Sequence, residues 1–449
     1  MRRLLLFAIL FVNLAAFAQY TDMQAITDLG GPQEFARRRK ELAKQLKTGY
    51  ALLWARINEP EAAPYREDND FYYYTGLQDE GAVMLMNNST GEVTIFEPLQ
   101  HPRTKQVYGP NLLGMDDAGR AALGYKNVAE LHNFELAMAR VFGGANPPEL
   151  WVRLGFADKA DGARPETAMD YAAQYASPVG DPTPGDRAAL EKLREHYPAI
   201  VLKDLTSAID GMRNIKTPQE IEVLRRNGKI SAEGLRRAIA KAKPGMYEYQ
   251  VEAEARYWMA FNGAQGIAYP AIVGSGPNSN TWHYFQNRRQ MQANEIVVFD
   301  FGADLDHETM DITRTFNVSG KFTPEQAKWY AVDLAAQKAV IALLKPGHTY
   351  EEASEAGRKI FEQAGVSDQW WGFPGHFVGL ATHDVQHATG PVKPGQVVTV
   401  EPIVEFPDKH MHFRAEDTVL ITNGEPEILS SGVPKEMGDV EKLVGSEAK

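Results

Sequence analysis

The sequence predicts a two-domain chain of mixed α/β (α+β) class. Three observations lead there. At 449 residues the chain exceeds what one ordinary hydrophobic core organises, and its 44% apolar content is enough to fill two. The first half mixes short strand-like runs with helical ones, as in Ala51-Leu52-Leu53-Trp54 and Ala82-Val83-Met84-Leu85-Met86. The second half sets several strand-like runs around strongly amphipathic helical segments, with turn residues suited to antiparallel pairing.

Arg2 and Arg3, the apolar run Leu4 to Val12, and Ala16-Phe17-Ala18 before Gln19 have the layout of a secretory leader. Cleavage after Ala18 is expected, since the run is shorter than the ~20 residues of a spanning helix. The expected segments are therefore a signal peptide at 1–18, an N-terminal domain at 19–204 and a catalytic domain at 205–449, in an exported protein, periplasmic or secreted, with no membrane association after cleavage. Within this frame Ser177 to Gly185 reads as a loop, and the domain change falls near Leu205 to Arg213.

Thr217-Pro218-Gln219-Glu220 is the clearest helix start: Thr caps, Pro takes the first helical position and Glu completes a capping box. The amphipathic pattern runs to about Lys243 and stops at Pro244-Gly245. A second helix is expected from Tyr247 to Phe261, with others near Thr323 to Leu344 and Tyr350 to Ala364. Strands are expected at Ile296 to Phe299, Ile312 to Val318, Val397 to Val400 and Thr418 to Ile421.

Charge and composition exclude several functions. The formal net charge of -12 becomes -14 once Arg2 and Arg3 leave with the leader, which disfavours nucleic acid and anionic membranes as partners. The absence of cysteine rules out a disulfide framework, a thiolate zinc site and a cysteine nucleophile. Any metal must rest on oxygen and imidazole. Val273-Gly274-Ser275-Gly276 is not a nucleophile elbow, and His307-Glu308-Thr309-Met310-Asp311 lacks the second histidine of a zincin helix.

Two apolar runs end in acid: Ile296-Val297-Val298-Phe299 enters Asp300, and Val397-Val398-Thr399-Val400 enters Glu401. A carboxylate at the edge of a core is costly unless a cation or hydrogen bonds compensate it. Asp311 follows Asp300 by eleven residues, with turn chemistry between, so a hairpin can hold both on one face. Alone, Asp311 reads equally as a strand-end cap, and Asp304 and Asp306 as turn residues. Five of the eleven histidines lie between His376 and His412, with His376 and His383 seven apart. A single histidine there is more often structural. Followed by Glu401 and Glu416, the set looks like a carboxylate-rich site for a pair of divalent ions of the manganese, cobalt or zinc type.

These residues resemble the creatinase, prolidase and aminopeptidase P family of pita-bread metallopeptidases. Its two aspartates match Asp300 in Val298-Phe299-Asp300-Phe301-Gly302 and Asp311 in Asp311-Ile312-Thr313-Arg314-Thr315-Phe316; its remaining ligands match His376, Glu401 and Glu416. The segment Asp70-Phe71-Tyr72-Tyr73-Tyr74-Thr75-Gly76 is similar to the N-domains of aminopeptidase P and prolidase. The resemblance thus implies a creatinase-like N-terminal α/β domain before a pita-bread catalytic domain. It further implies two divalent ions, manganese first and zinc or cobalt otherwise: Asp300 on one ion, His376 and Glu401 on the other, Asp311 and Glu416 bridging. Glu401 would also shuttle a proton, His283 and His383 would contact substrate, and Arg414 matches the arginine beside the last ligand. The implied activity is Xaa-Pro aminopeptidase, attacking peptide substrates with a metal-bridged hydroxide, in a homo-oligomer (dimer or tetramer). A dipeptide-specific prolidase is the alternative, and a creatinase-like or non-catalytic member a further one. Gly372 stands where many relatives carry a histidine, and Ile403 where glycine is common.

Overall fold

The computed structural model describes residues 23–57, 65–176, 185–385 and 390–447. The expected leader and the loop at 177–184 lie outside the described residues. The chain divides into two compact units, one running up to Lys159 and over Arg164–Gly211, the other comprising Ala160–Ala163 and Met212 onward. No described helix is long and apolar enough to cross a membrane.

The first unit is built on one mixed six-stranded sheet: β1 (Tyr50–Trp54), β2 (Val83–Asn87), β3 (Val93–Glu97), β4 (Asn127–Glu130), β5 (Glu149–Val152) and β6 (Val201–Asp204) in the order β4-β3-β2-β1-β5-β6. β1–β2 and β2–β3 pair antiparallel, whereas β3–β4, β1–β5 and β5–β6 pair parallel across helical connections. The family-like segment forms a buried helix, Asn69–Thr75, started by Asp68, whose carboxylate accepts from the Asp70 and Phe71 amides, and stopped by Gly76 in the left-handed conformation.

In the second unit the Pro218–Lys241 helix begins as its sequence directs. Thr217 Oγ1 accepts from Glu220 N at 3.2 Å, and the Glu220 carboxylate accepts from Thr217 N at 2.8 Å. It packs on the Glu248–Phe261 helix, where Gly234 allows close approach to the Ala255 carbonyl. A second pair, Pro324–Ile341 and Tyr350–Ala364, also packs together.

Between and beside these helices lie short strands: β7 (Gly266–Ile267), β8 (Ile272–Ser275), β9 (Ile296–Asp300), β10 (Ala303–Leu305), β11 (Glu308–Thr309), β12 (Thr313–Asn317), β13 (Val397–Val400), β14 (Ile403–Phe406), β15 (Met411–Arg414), β16 (Asp417–Leu420) and β17 (Glu427–Ile428). They form sheets β12-β9-β8, β11-β10-β7 and β13-β16-β17 and the hairpin β14-β15; every pairing is antiparallel. Val297, Phe299, Phe301, Ile312 and Phe316 are all buried in a core shared with the first helix pair. Burying each such side chain contributes roughly 1.5–3 kcal/mol.

Candidate metal centre

Strands β9 and β12 pair with Asp300 opposite Thr313, which leaves Asp311, two residues before Thr313, on the same face as Asp300. The eleven-residue connection is itself a small hairpin. Asp306 and His307 both take positive φ, the signature of a tight primed turn between β10 and β11. Gly302 makes this connection possible, because a Cβ there would sit 1.7 Å from the Met310 carbonyl oxygen. Both aspartates are at least nine-tenths buried.

Each carboxylate has its own support. The Tyr269 hydroxyl lies 2.5 Å from one oxygen of Asp300 and 2.5 Å from one oxygen of Asp311. It carries a single proton, so it satisfies one of them fully at a time. Arg414, at the end of β15, donates to the other Asp300 oxygen at 2.5 Å and through Nε to Thr313 Oγ1 at 3.1 Å. Thr313 Oγ1 in turn donates to Glu416 Oε2 at 2.7 Å. The second oxygen, Glu416 Oε1, is buried without a hydrogen-bond partner.

His376 is aimed by its backbone. Its Nδ1 is 3.1 Å from the Phe377 carbonyl, which fixes the tautomer and turns Nε2 toward Asp311 Oδ2 at 3.4 Å and Glu401 Oε1 at 3.3 Å. Glu401 follows β13 and is steadied by Thr399 Oγ1 at 3.4 Å. Asp311, His376 and Glu416 offer donor atoms all within 4.8 Å of one another. A carbonyl-oriented imidazole, an unpartnered carboxylate oxygen and a tight oxygen-rich cluster are what a hard or borderline divalent ion requires. The residues fit such an ion.

The electrostatics agree. Burial is the strongest influence on each group and penalises its charged form. Burial lifts Asp300 to about 7 against the pull of Arg414. Burial acts on Asp311 as well, but His376 and Tyr269 outweigh it and bring that carboxyl to about 2. Glu416 is held well above the usual carboxylate range, first by burial and then by Asp311, Glu401 and Asp300. Burial opposes the imidazolium of His376, yet Asp311 and Glu401 raise it well above an ordinary histidine. Glu401 is lowered, because His376 and Arg414 overcome its burial. Four acids around one arginine cannot all be ionised without further positive charge. Cation binding here must therefore displace protons, chiefly from Glu416 and His376.

The structure thus brings together Asp300, Asp311, His376, Glu401, Glu416 and Arg414. His383 joins them through its ring, 4.1 Å from that of His376. His283 sits on the loop after β8, exposed and stacked on Phe285 at 5.7 Å. Sequence reasoning missed Tyr269: nothing in Ala268-Tyr269-Pro270 marks it, and only packing places its hydroxyl between the two aspartates. It also missed Asp333, a buried acid in the Pro324–Ile341 helix that accepts from Ala415 N at 2.8 Å and so anchors the backbone between Arg414 and Glu416.

Comparison with known proteins follows the same division of the chain. The Aminopeptidase P, N-terminal domain family matches residues 35–151, and Metallopeptidase family M24 matches residues 222–423. The Xaa-Pro aminopeptidase of Escherichia coli (strain K12) is 30% identical over 464 residues, covering 92% of this chain and 97% of that protein. The chain belongs to metallopeptidase family M24. As a member it is a metal-dependent peptide hydrolase with the pita-bread fold. The structure of E. coli aminopeptidase P with the inhibitor Pro-Leu aligns with a TM-score of 0.76 at 28% identity, covering 92% of this chain and 98% of that one. The Xaa-Pro dipeptidase of Pyrococcus furiosus is 34% identical over 237 residues, covering 52% of this chain and 68% of that protein.

Proposed function

We propose that this M24 peptidase is an Xaa-Pro aminopeptidase that removes the first residue from peptides with proline second, using two divalent ions. The carrying observation is the donor set itself: Asp300, Asp311, His376, Glu401 and Glu416 converge, in a chain matched over nearly its whole length by a named Xaa-Pro aminopeptidase. Asp300 would hold one ion, His376 and Glu401 the other, and Asp311 and Glu416 both, with manganese the first choice and zinc or cobalt the others. Such ions, when bound, polarise a carbonyl and make a water acidic near neutral pH.

The chain's own residues do the rest. Arg414 and Tyr269 hold the two aspartates in register. Glu401 takes the proton of the attacking water as its oxygen adds to the scissile carbonyl carbon. The C–N bond then breaks, and Glu401 delivers the proton to the proline nitrogen, which leaves as a secondary amine. His383 and His283 orient the substrate and donate to the developing oxyanion. In the same reading the leader directs export to the periplasm or medium, and the protein assembles as a dimer or tetramer.

The test is hydrolysis of an Xaa-Pro tripeptide by chelator-stripped protein, with manganese, cobalt or zinc restored singly. Metal-dependent release of the first residue is expected. Similarity over 237 residues to the P. furiosus dipeptidase favours one competing reading, dipeptide-only cleavage. Hydrolysis of an Xaa-Pro dipeptide with none of the tripeptide would select it.

A further inference from the structure

A buried ion cluster that the proposed chemistry does not use lies beside the histidine pair. Asp384 accepts from Arg213 Nη2 at 2.6 Å and from Lys216 Nζ at 2.8 Å, and Lys216 Nζ also donates to the Arg213 carbonyl at 2.8 Å. All three side chains are at least 97% buried. A buried charge cluster is an expensive arrangement in a core, and apolar residues of similar volume would often stabilise the fold at least as well. Its contacts point to a use.

Asp384 directly follows His383, and its backbone N–H donates at 2.8 Å to the Phe377 carbonyl. That carbonyl also takes Nδ1 of His376. Residues 376–384 therefore close on themselves at one oxygen atom. Gly379 lies inside this loop against the cluster: a Cβ there would fall 2.2 Å from Asp384 Oδ2 and 2.4 Å from Lys216 Nζ. The loop is pinned on its outer side by Thr309, whose N and Oγ1 reach the Gly379 carbonyl at 2.7 and 2.9 Å. Thr382 Oγ1 lies 3.3 Å from the carbonyl of Ala268, the neighbour of Tyr269.

We propose that the Arg213–Asp384–Lys216 cluster is a positioning element for His383, setting its ring against His376 and so aiming the group that contacts substrate. The assignment of His383 to substrate rests on the aminopeptidase reading; its orientation by the cluster does not. His376 has independent supports, since its N–H donates to Thr399 Oγ1 at 3.1 Å and Nδ1 is fixed by the Phe377 carbonyl. Asp384 is the residue next to His383, so the cluster's hold on Asp384 reaches the His383 backbone first.

Lys216→Met tests this, because it removes one of the two cationic donors to Asp384 and keeps the Arg213 contact. In histidine-labelled, metal-free protein the ring signals of His383, assigned with His383→Asn, should shift while those of His376 hold. In the manganese enzyme, kcat for an Xaa-Pro tripeptide should fall about 10- to 100-fold, as for a misplaced catalytic group. Calorimetric manganese affinity should stay within a few fold, and Lys216→Arg should restore most of the rate. In a His383→Asn background Lys216→Met should cost nothing further. If Lys216→Met does not fold, Gly379→Ala, which displaces both partners without deleting a charge, carries the same measurements. Unmoved His383 signals, or a metal affinity that falls in step with kcat, would make the cluster a stability element only and overturn the proposal. Loss of tripeptide hydrolysis in the unaltered protein would instead remove the aminopeptidase reading, leaving the ring measurement to decide the positioning claim.

Discussion

Glu416→Gln separates the proposed metal-binding role of this residue from a structural one, because the two predict changes of opposite sign. The Glu416 side chain is fully enclosed, its Oε1 has no partner, and Asp311, Glu401 and Asp300 raise its pKa further after burial has done so. Its folded pKa is therefore above its unfolded value of about 4.3. For an acid this means stability is greatest below the unfolded pKa and is lost as pH rises toward the folded one. Because its charged form is disfavoured, this carboxyl costs the metal-free fold stability relative to a neutral isostere, each pH unit between its unfolded and folded pKa contributing about 1.4 kcal/mol. The amide keeps an oxygen for Thr313 and carries no charge, so the chelated variant should be more stable than the parent at pH 7 to 8, by a margin that widens as pH rises. At pH 4.5 the two should coincide. With manganese present the order should reverse, because the parent gains the binding energy of a charged ligand and the variant does not. Denaturant unfolding at both pH values, with and without metal, reads all of this. A variant stabilised by manganese as much as the parent would refute the ligand assignment. A chelated variant less stable at pH 8 would refute the like-charge argument.

Other predictions follow from single features. Gly302→Ala would drive a methyl into the Met310 carbonyl, so it should destroy the hairpin joining Asp300 to Asp311; soluble, metal-binding protein would contradict the close approach. Arg314 is buried and bonds Asp417 together with the carbonyls of Thr313, Glu416, Val433 and Pro434, so Arg314→Met should cost about 3–5 kcal/mol in denaturant unfolding. In the first unit, burial pushes the Glu67 carboxyl up to about 8, so that unit should lose stability as pH rises from about 4.5 to 8. Glu67→Gln should flatten that slope, by a difference on the order of 4 kcal/mol at pH 8, measurable as unfolding free energy against pH.

How far the sequence reached follows the range of the forces involved. The Thr217 capping box, the Tyr350–Ala364 helix, and strands that run into Asp300 and Glu401 are local events, set by side chains reaching their own backbone and by the period of apolar residues. The four acids and the histidine were legible for the same reason: each stands in a short segment whose character is carried by its neighbours. Tyr269 was not, since it acts on Asp300 and Asp311 across 31 and 42 positions and its own surroundings say nothing of that. Nor was the Arg213–Asp384–Lys216 cluster, whose partners meet across 171 and 168 positions. The sequence by itself determined which residues are available for metal and acid-base chemistry. Only the tertiary structure decided their charge states, because a pKa depends on burial and on carboxylates brought close by distant strands, and neither exists until the chain has folded.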